Sequence, residues 1–203
     1  MTSELIDSFG RVHKDLRVSL TDKCNLRCTY CMPAEGVEWL PSQHILNKNE
    51  LNKLIKILCD LGITEIRLTG GEPLLRPDIL EIIENISKIE SKPEISLTTN
   101  GIRLAPIAQQ LFDAGLKRIN ISLDTLQPQR FKLLSRRDGL NDVLKGIDAS
   151  INAGLNPIKI NSVLMPGIND DEAVELVHWA MGLNLQLRFI EQMPLDAQQS
   201  WSR

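Results

Sequence analysis

The stretch Leu16-Arg17-Val18-Ser19-Leu20-Thr21-Asp22-Lys23-Cys24-Asn25-Leu26-Arg27-Cys28-Thr29-Tyr30-Cys31 decides how this chain folds. Its first part alternates: Leu16, Val18 and Leu20 fall on one side, Arg17 and Ser19 on the other. Successive side chains of a strand point to opposite faces, so this spacing predicts a strand with one apolar and one polar face. Its second part sets three thiols at C-x3-C-x2-C spacing directly after that strand. An iron–sulfur cube normally takes four thiolates, and a structural zinc site takes four ligands. Three thiolates on a cube leave one iron open, and an open iron can bind and activate a small molecule.

The same alternation recurs along the chain. Strands are predicted over Leu16–Leu20, Ile63–Thr69, Glu94–Thr99, Arg118–Leu123, Pro157–Val163 and Leu185–Ile190. Helical spacing of apolar residues falls between them, over Asn49–Leu61, Asp78–Ile89, Leu104–Ala114, Pro128–Leu134, Leu140–Ala153 and Asp170–Met181. Gly62, Gly115, Gly154 and Gly182 stand where C-terminal helix caps are expected. Steady alternation of strand and helix implies βα units and a parallel sheet.

One face of each predicted strand is polar: Arg17 and Ser19; Arg67 and Thr69; Ser96 and Thr98; Arg118, Asn120 and Ser122; Lys159 and Asn161; Gln186 and Arg188. A parallel sheet covered by helices on both faces is apolar throughout, and a closed eightfold barrel fills its centre with branched apolar side chains. Neither matches. The fold class expected is α/β: a partial (β/α)6 TIM-like barrel, parallel strands with helices outside, whose lumen is polar and cationic through Arg17, Arg67, Lys159 and Arg188. Such a lumen suits an anionic, polar ligand. An ordinary one-sided sheet with these residues on its surface is the alternative.

A chain of 203 residues, 42% of them hydrophobic, suffices for one domain with a real core. Residues 1–15 read as an N-terminal arm and 16–203 as the barrel. No apolar run is long enough to span a bilayer, and Met1 to Lys14 has no signal-peptide core. A cytoplasmic location is therefore expected. The net charge of −3 argues against bulk nucleic-acid binding, which needs a basic face.

The chain has four cysteines, and clustered thiols in a cytosolic chain read as metal or redox groups. Zinc would need a fourth ligand from His13, His44 or His178, none at finger-like spacing. A redox pair of Cys28 and Cys31 would leave Cys24 idle. Cys59, four residues after Ile55, reads as a small core residue.

The loop Cys24-x3-Cys28-x-Tyr30-Cys31 resembles the signature of radical S-adenosylmethionine (SAM) enzymes. The resemblance implies that Cys24, Cys28 and Cys31 hold a [4Fe-4S] cluster whose open iron chelates SAM. The reduced cluster then yields a 5′-deoxyadenosyl radical. Thr69-Gly70-Gly71-Glu72-Pro73 is similar to that family's glycine-rich segment, whose backbone meets the SAM amino group; glycine allows such a close approach.

The likeness extends further. Leu16 to Cys24, Ile66 to Leu74, Leu97-Thr98-Thr99-Asn100-Gly101, Asn120-Ile121-Ser122-Leu123-Asp124 and Arg188-Phe189-Ile190-Glu191-Gln192-Met193-Pro194 together resemble the GTP 3′,8-cyclases of molybdenum cofactor (molybdopterin) biosynthesis. The resemblance implies Arg17, Arg67, Thr98 and Lys159 as GTP contacts, and Tyr30, Gly71, Ser122 and Met193 as SAM contacts. It implies cyclisation of GTP through hydrogen abstraction at ribose C3′ and attack on guanine C8, with the product passed to cyclic pyranopterin monophosphate synthase. It is compatible with a homodimer. That family also carries a second three-cysteine set, and no cysteine follows Cys59 here. The chain is accordingly expected to be a shortened form, lacking full cyclising activity by itself. The alternatives are a single-cluster radical SAM enzyme with another anionic substrate and a non-enzymatic metal-binding module.

Overall fold

The computed structural model describes residues 4–193. Pro194 of the last matching segment, and the rest of the chain beyond it, lie outside the described residues. Six strands, β1 (Asp15–Ser19), β2 (Glu65–Thr69), β3 (Glu94–Thr99), β4 (Arg118–Ser122), β5 (Ile158–Leu164) and β6 (Gln186–Glu191), form one parallel sheet in strict sequential order. Its edges are β1 and β6. The helices are α1 (Lys48–Asp60), α2 (Ile79–Ser87), α3 (Ala108–Asp113), α4 (Pro128–Ser135), α5 (Leu140–Asn152) and α6 (Ala173–Gly182).

Sequential order has a direct consequence. Right-handed crossovers that always step the same way put every helix on one face of the sheet. That face carries the core. Ile66, Leu68, Ile95, Leu97, Ile119 and Ile121 are buried, and α2 meets them with Ile79, Ile82, Ile83 and Ile86, one stripe at helical spacing. Helix α1 adds Leu51, Ile55 and Cys59, the last being the core residue expected of it. Its first turn is closed by a capping box: Asn47 accepts from the Asn49 and Glu50 amides, and Glu50 accepts from the Asn47 amide.

Among the described residues, no helix covers the opposite face. Register places Arg17 beside Arg67, Arg67 beside Ser96 and Ser96 beside Arg118. The next row runs Thr98, Asn120, Lys159, Gln186, and the row above it Ser122, Asn161, Arg188. The polar residues therefore share one concave face, as the alternation predicts.

Four details differ from the sequence expectation. Helix α3 begins at Ala108 rather than Leu104, because residues 101–107 form successive tight turns, with the Leu104 amide on the Gly101 carbonyl and Ile107 on Leu104. Residues 170–172 form a 3-10 turn before α6. Gly62, Gly115 and Gly154 take left-handed conformations after their helices, but Gly182 is the last residue of α6 and Asn184 (φ 56°) makes the reversal. Alternation puts Phe189 with Leu185 and Leu187 on the apolar face of the last strand, yet Phe189, on the edge strand, is 42% exposed and does not join the core.

Leu97 lies on β3 inside this core and is fully buried. Leu97→Ala is expected to lower stability by about 2–5 kcal/mol, through lost transfer energy and the cavity left behind. Chemical denaturation followed by far-UV circular dichroism measures it.

Candidate active site

The thiol loop is built onto the sheet by backbone hydrogen bonds. After β1, the Leu20 amide donates to the Thr69 carbonyl at 2.8 Å, so the ladder continues past the end of the strand. The Gly71 amide then donates to the Thr21 carbonyl and the Glu72 amide to the Lys23 carbonyl, each at 2.7 Å. Gly70 (φ 147°) and Gly71 lie so close to this loop that a Cβ on Gly70 would overlap the Thr21 carbonyl oxygen, and one on Gly71 those of Asp22 and Lys23. The glycine pair is thus required by the packing of one loop against another. Close approach to a ligand is not the only reason for it.

Arg76 fastens the same region from outside, donating to the Leu20 and Leu46 carbonyls while paired with Asp78. Farther along, the Arg27 and Thr29 amides donate to the Ser135 and Leu134 carbonyls at the end of α4, and Arg136 donates to the Arg27 and Met32 carbonyls.

Cys24, Cys28 and Cys31 open on one cavity together with Tyr30, Gly70, Gly71, Thr98, Asn100, Ser122 and Asp124. All three thiols are free. Burial pushes the Cys24 thiol up and the Cys28 thiol to about 12, with the Asp124 carboxylate adding to the latter. Among the described residues, no three His, Cys, Asp or Glu side chains converge as a single metal ion requires. One tetrahedral zinc would hold its sulfurs at about 2.3 Å from a common centre. Thiols that share a cavity without converging suit separate irons of a cluster better than one ion.

Sequence reasoning gave Glu72 no role, yet it is the hub of this site. Almost wholly buried, it accepts from the Leu74 amide, the Thr99 hydroxyl and the Asn100 amide. Burial pushes its carboxyl up, against the pull of those bonds and of Arg103. Asn100 then donates to Asn25 at 2.8 Å, inside the thiol loop. The chain Glu72–Asn100–Asn25 thereby ties β2, β3 and the loop together. The only sequence signal was a carboxylate directly after a strand and a glycine pair.

Of the expected SAM contacts, Tyr30, Gly71 and Ser122 line the thiol cavity. Met193 lies two residues past β6, is 56% exposed and is not among its lining residues. Of the expected GTP contacts, Thr98 lines the thiol cavity, while Arg17 and Arg67 line a second cavity at the N-terminal ends of the strands, with Asp15, Glu65, Ser96 and Arg118. Lys159 stands between them in register with Asn120. Arg118 is neutralised by Glu65 (2.9 Å) and Glu94 (2.6 Å). Among the described residues, Arg17, Arg67, Lys159 and Arg188 have no such partner. The Arg67 Nε is buried without a hydrogen-bond acceptor. Burial lowers the Lys159 pKa, helped by the neighbouring charges of Arg188, Arg118 and Arg67.

An open parallel α/β barrel, a three-thiol loop at its C-terminal mouth and a cationic lumen define a barrel enzyme with a metal site at the mouth, where barrel active sites lie. The sequence matches the Radical SAM superfamily over residues 18–180. The chain belongs to the radical SAM superfamily.

A GTP 3′,8-cyclase from Streptomyces coelicolor is 58% identical over 200 residues, covering 98% of this chain and 59% of that protein. One from Corynebacterium glutamicum is 52% identical over 204 residues, covering 98% and 54%. The chain thus spans little more than half the length of these relatives. Streptococcus suis SuiB bound to S-adenosylmethionine aligns with a TM-score of 0.74 over 93% of this chain and 41% of that one, at 17% identity. Native anSMEcpe with bound AdoMet aligns at 0.69 over 88% and 51%, at 20% identity. These two likenesses show the fold. The cofactors of a radical SAM chain are a [4Fe-4S] cluster and SAM, and the donor set here fits both: three thiols for three irons, beside a glycine cradle that a Cβ would fill.

Gly71→Ala is expected to push the Asp22–Lys23 backbone away from β2. Stability should fall by about 1–3 kcal/mol, as for other overpacked sites, and iron bound per chain after anaerobic reconstitution should drop. A stable, fully loaded Gly71→Ala chain would show that the interlock does not hold the loop.

Proposed function

We propose that this chain is the catalytic barrel of a GTP 3′,8-cyclase of molybdenum cofactor biosynthesis, acting in the cytoplasm. The observation that carries this reading is the set of lumen cations, Arg17, Arg67, Lys159 and Arg188, that have no carboxylate partner among the described residues, in the same barrel that opens on the three thiols. Four like charges in one lumen repel each other, and burial further disfavours the charge on Lys159. A triphosphate relieves both costs through charge-assisted hydrogen bonds, and the buried Arg67 Nε gains the acceptor it lacks. The relatives named GTP 3′,8-cyclase support the nucleotide as the anion.

On this reading Cys24, Cys28 and Cys31 ligate the cluster, and Tyr30, Gly71, Ser122 and Met193 hold SAM. When bound, the two cofactors supply the hydrogen-abstracting radical chemistry. The chain itself supplies position: Arg17, Arg67 and Lys159 hold the phosphates in the lumen, and Thr98, bonded to Asn120 and facing the thiol cavity, orients the nucleoside toward the mouth. The product carries a new bond between ribose C3′ and guanine C8 and passes to cyclic pyranopterin monophosphate synthase. Residues 1–15 serve as an arm to the barrel of 16–203.

Arg17→Ala and Lys159→Ala should each weaken GTP binding by about tenfold or more, since a hydrogen bond to a charged group is worth about 1.5–3 kcal/mol. Isothermal titration calorimetry reads the change. Unchanged affinity in both variants would remove the lumen as the GTP site. Anaerobic reconstitution, then reduction with SAM and GTP and mass spectrometry of the products, tests the reaction. In this chain alone, SAM cleavage with little cyclised product is expected; failure of GTP to bind the full-length protein would favour a radical SAM enzyme acting on another anion.

A further inference from the structure

Asp124 follows β4 by two residues and faces the thiol cavity. Among the described residues it has no cationic partner, which is a costly arrangement for a carboxylate out of water. Its two oxygens do separate work. Oδ1 accepts from the Val163 amide at 2.8 Å, and Oδ2 accepts from the Tyr30 hydroxyl at 2.7 Å, across 94 residues of sequence.

The base of this contact is rigid. Asn169, fully buried, donates from Nδ2 to the Asp124 carbonyl (2.8 Å) and the Val163 carbonyl (2.9 Å), and its Oδ1 accepts from the Met165 amide. One amide side chain thus staples the end of β4 to the end of β5. Thr125 and the Leu126 amide are held in the same way by buried Glu172.

The other end of the contact is the thiol loop. Tyr30 lies within the turn in which the Cys31 and Met32 amides donate to the Cys28 carbonyl. The root of the loop is locked to β2, and one flank rests on the end of α4. The Tyr30 hydroxyl provides its attachment to the far side of the mouth, on β4 and β5.

We propose that Asp124 is a positioning residue: through its hydrogen bond to Tyr30 it fixes the Cys28–Cys31 turn across the barrel mouth and so sets where metal held by those thiols sits relative to the lumen. The proposal rests on the reading of the three thiols as cluster ligands. The chemistry explains why the residue is an aspartate. A lone buried phenol needs only one acceptor, which a neutral amide could supply. Here the Val163 amide and the Tyr30 phenol meet different oxygens, so an asparagine in the same position would set its NH2, a donor, against one of the two donors.

Tyr30→Phe removes a single oxygen, and Asp124→Asn removes one acceptor while keeping the shape. Hydrogen–deuterium exchange on the metal-free chain should show amides 28–32 exchanging about tenfold faster or more in either variant, as loss of a bond to a charged group implies. The double variant should be no worse than the more affected single one. After reconstitution, a chelator should strip iron faster from both variants. The paramagnetic resonance spectrum of their reduced cluster should respond less to SAM.

Wild-type exchange and wild-type iron release in Tyr30→Phe would overturn the proposal, and that variant decides the matter even if Asp124→Asn does not fold. A wild-type chain that takes up no iron would instead refute the cluster reading. The exchange data on the metal-free chain would still decide whether this bond anchors the loop.

Discussion

The site depends on a backbone interlock between two loops. The ladder between β1 and β2 does not stop at the last strand residues, Ser19 and Thr69, but runs on through Leu20, Gly71 and Glu72 into the segment Thr21–Lys23. Two chain segments can run this close together only where one has no side chains in the way, which is the place of Gly70 and Gly71. Everything placed at the mouth follows from this contact. It sets the root of the thiol loop, and it aims Glu72 inward, where its carboxylate captures Thr99 and Asn100 on β3. A buried carboxylate with three donors is held firmly, and removing any donor would leave charge uncompensated in a dry place. The mouth is therefore assembled from β1, β2 and β3 as one unit.

The lumen follows a different logic. One floor cation is balanced: Arg118 lies between Glu65 and Glu94. Arg17 and Arg67 in the same row, and Lys159 and Arg188 above it, have no carboxylate partner among the described residues, and burial, then the neighbouring cations, lowers the Lys159 pKa. An arrangement that costs the folded chain electrostatic energy has a use only if a ligand offsets it. The carboxylates near the mouth are engaged with other partners: Glu72 and Asp124 with the thiol loop and its neighbours, Glu172 with Thr125 and Arg130.

Much of this was legible in the sequence because strand alternation is local. The pairs Arg17 and Ser19, Arg67 and Thr69, Asn120 and Ser122 needed only period-two counting to be put on one face, and the sheet register joins those faces into one surface. The thiol spacing was equally local. The partners of Glu72 and Asp124 were not legible, because they lie 27 and 94 residues away and depend on how loops meet above the sheet. Local signals also misled where turns competed with helix. Residues 101–107 have helical spacing of apolar groups, but tight turns after β3 delay α3 to Ala108. Gly182 looked like a cap, yet the chain reverses at Asn184, another residue that tolerates the left-handed region.

The division of labour between the two faces of each strand explains how so polar a barrel holds together. Ile66, Leu68, Ile95, Leu97, Ile119 and Ile121 turn outward under the helices, so the apolar core surrounds the barrel instead of filling it. The neighbouring residues on the same strands turn inward and carry charge or hydrogen-bonding groups. Burial on the outer face does not depend on what occupies the inner one. Changes to Arg17 or Lys159 therefore fall on the ligand side of the strand, and changes to Leu97 on the stability side. Asp124 and Glu72 sit where the two sides meet, above the ends of the strands. There a single carboxylate both completes the fold of a loop and fixes the place of the thiols, so stability and site geometry cannot be altered separately.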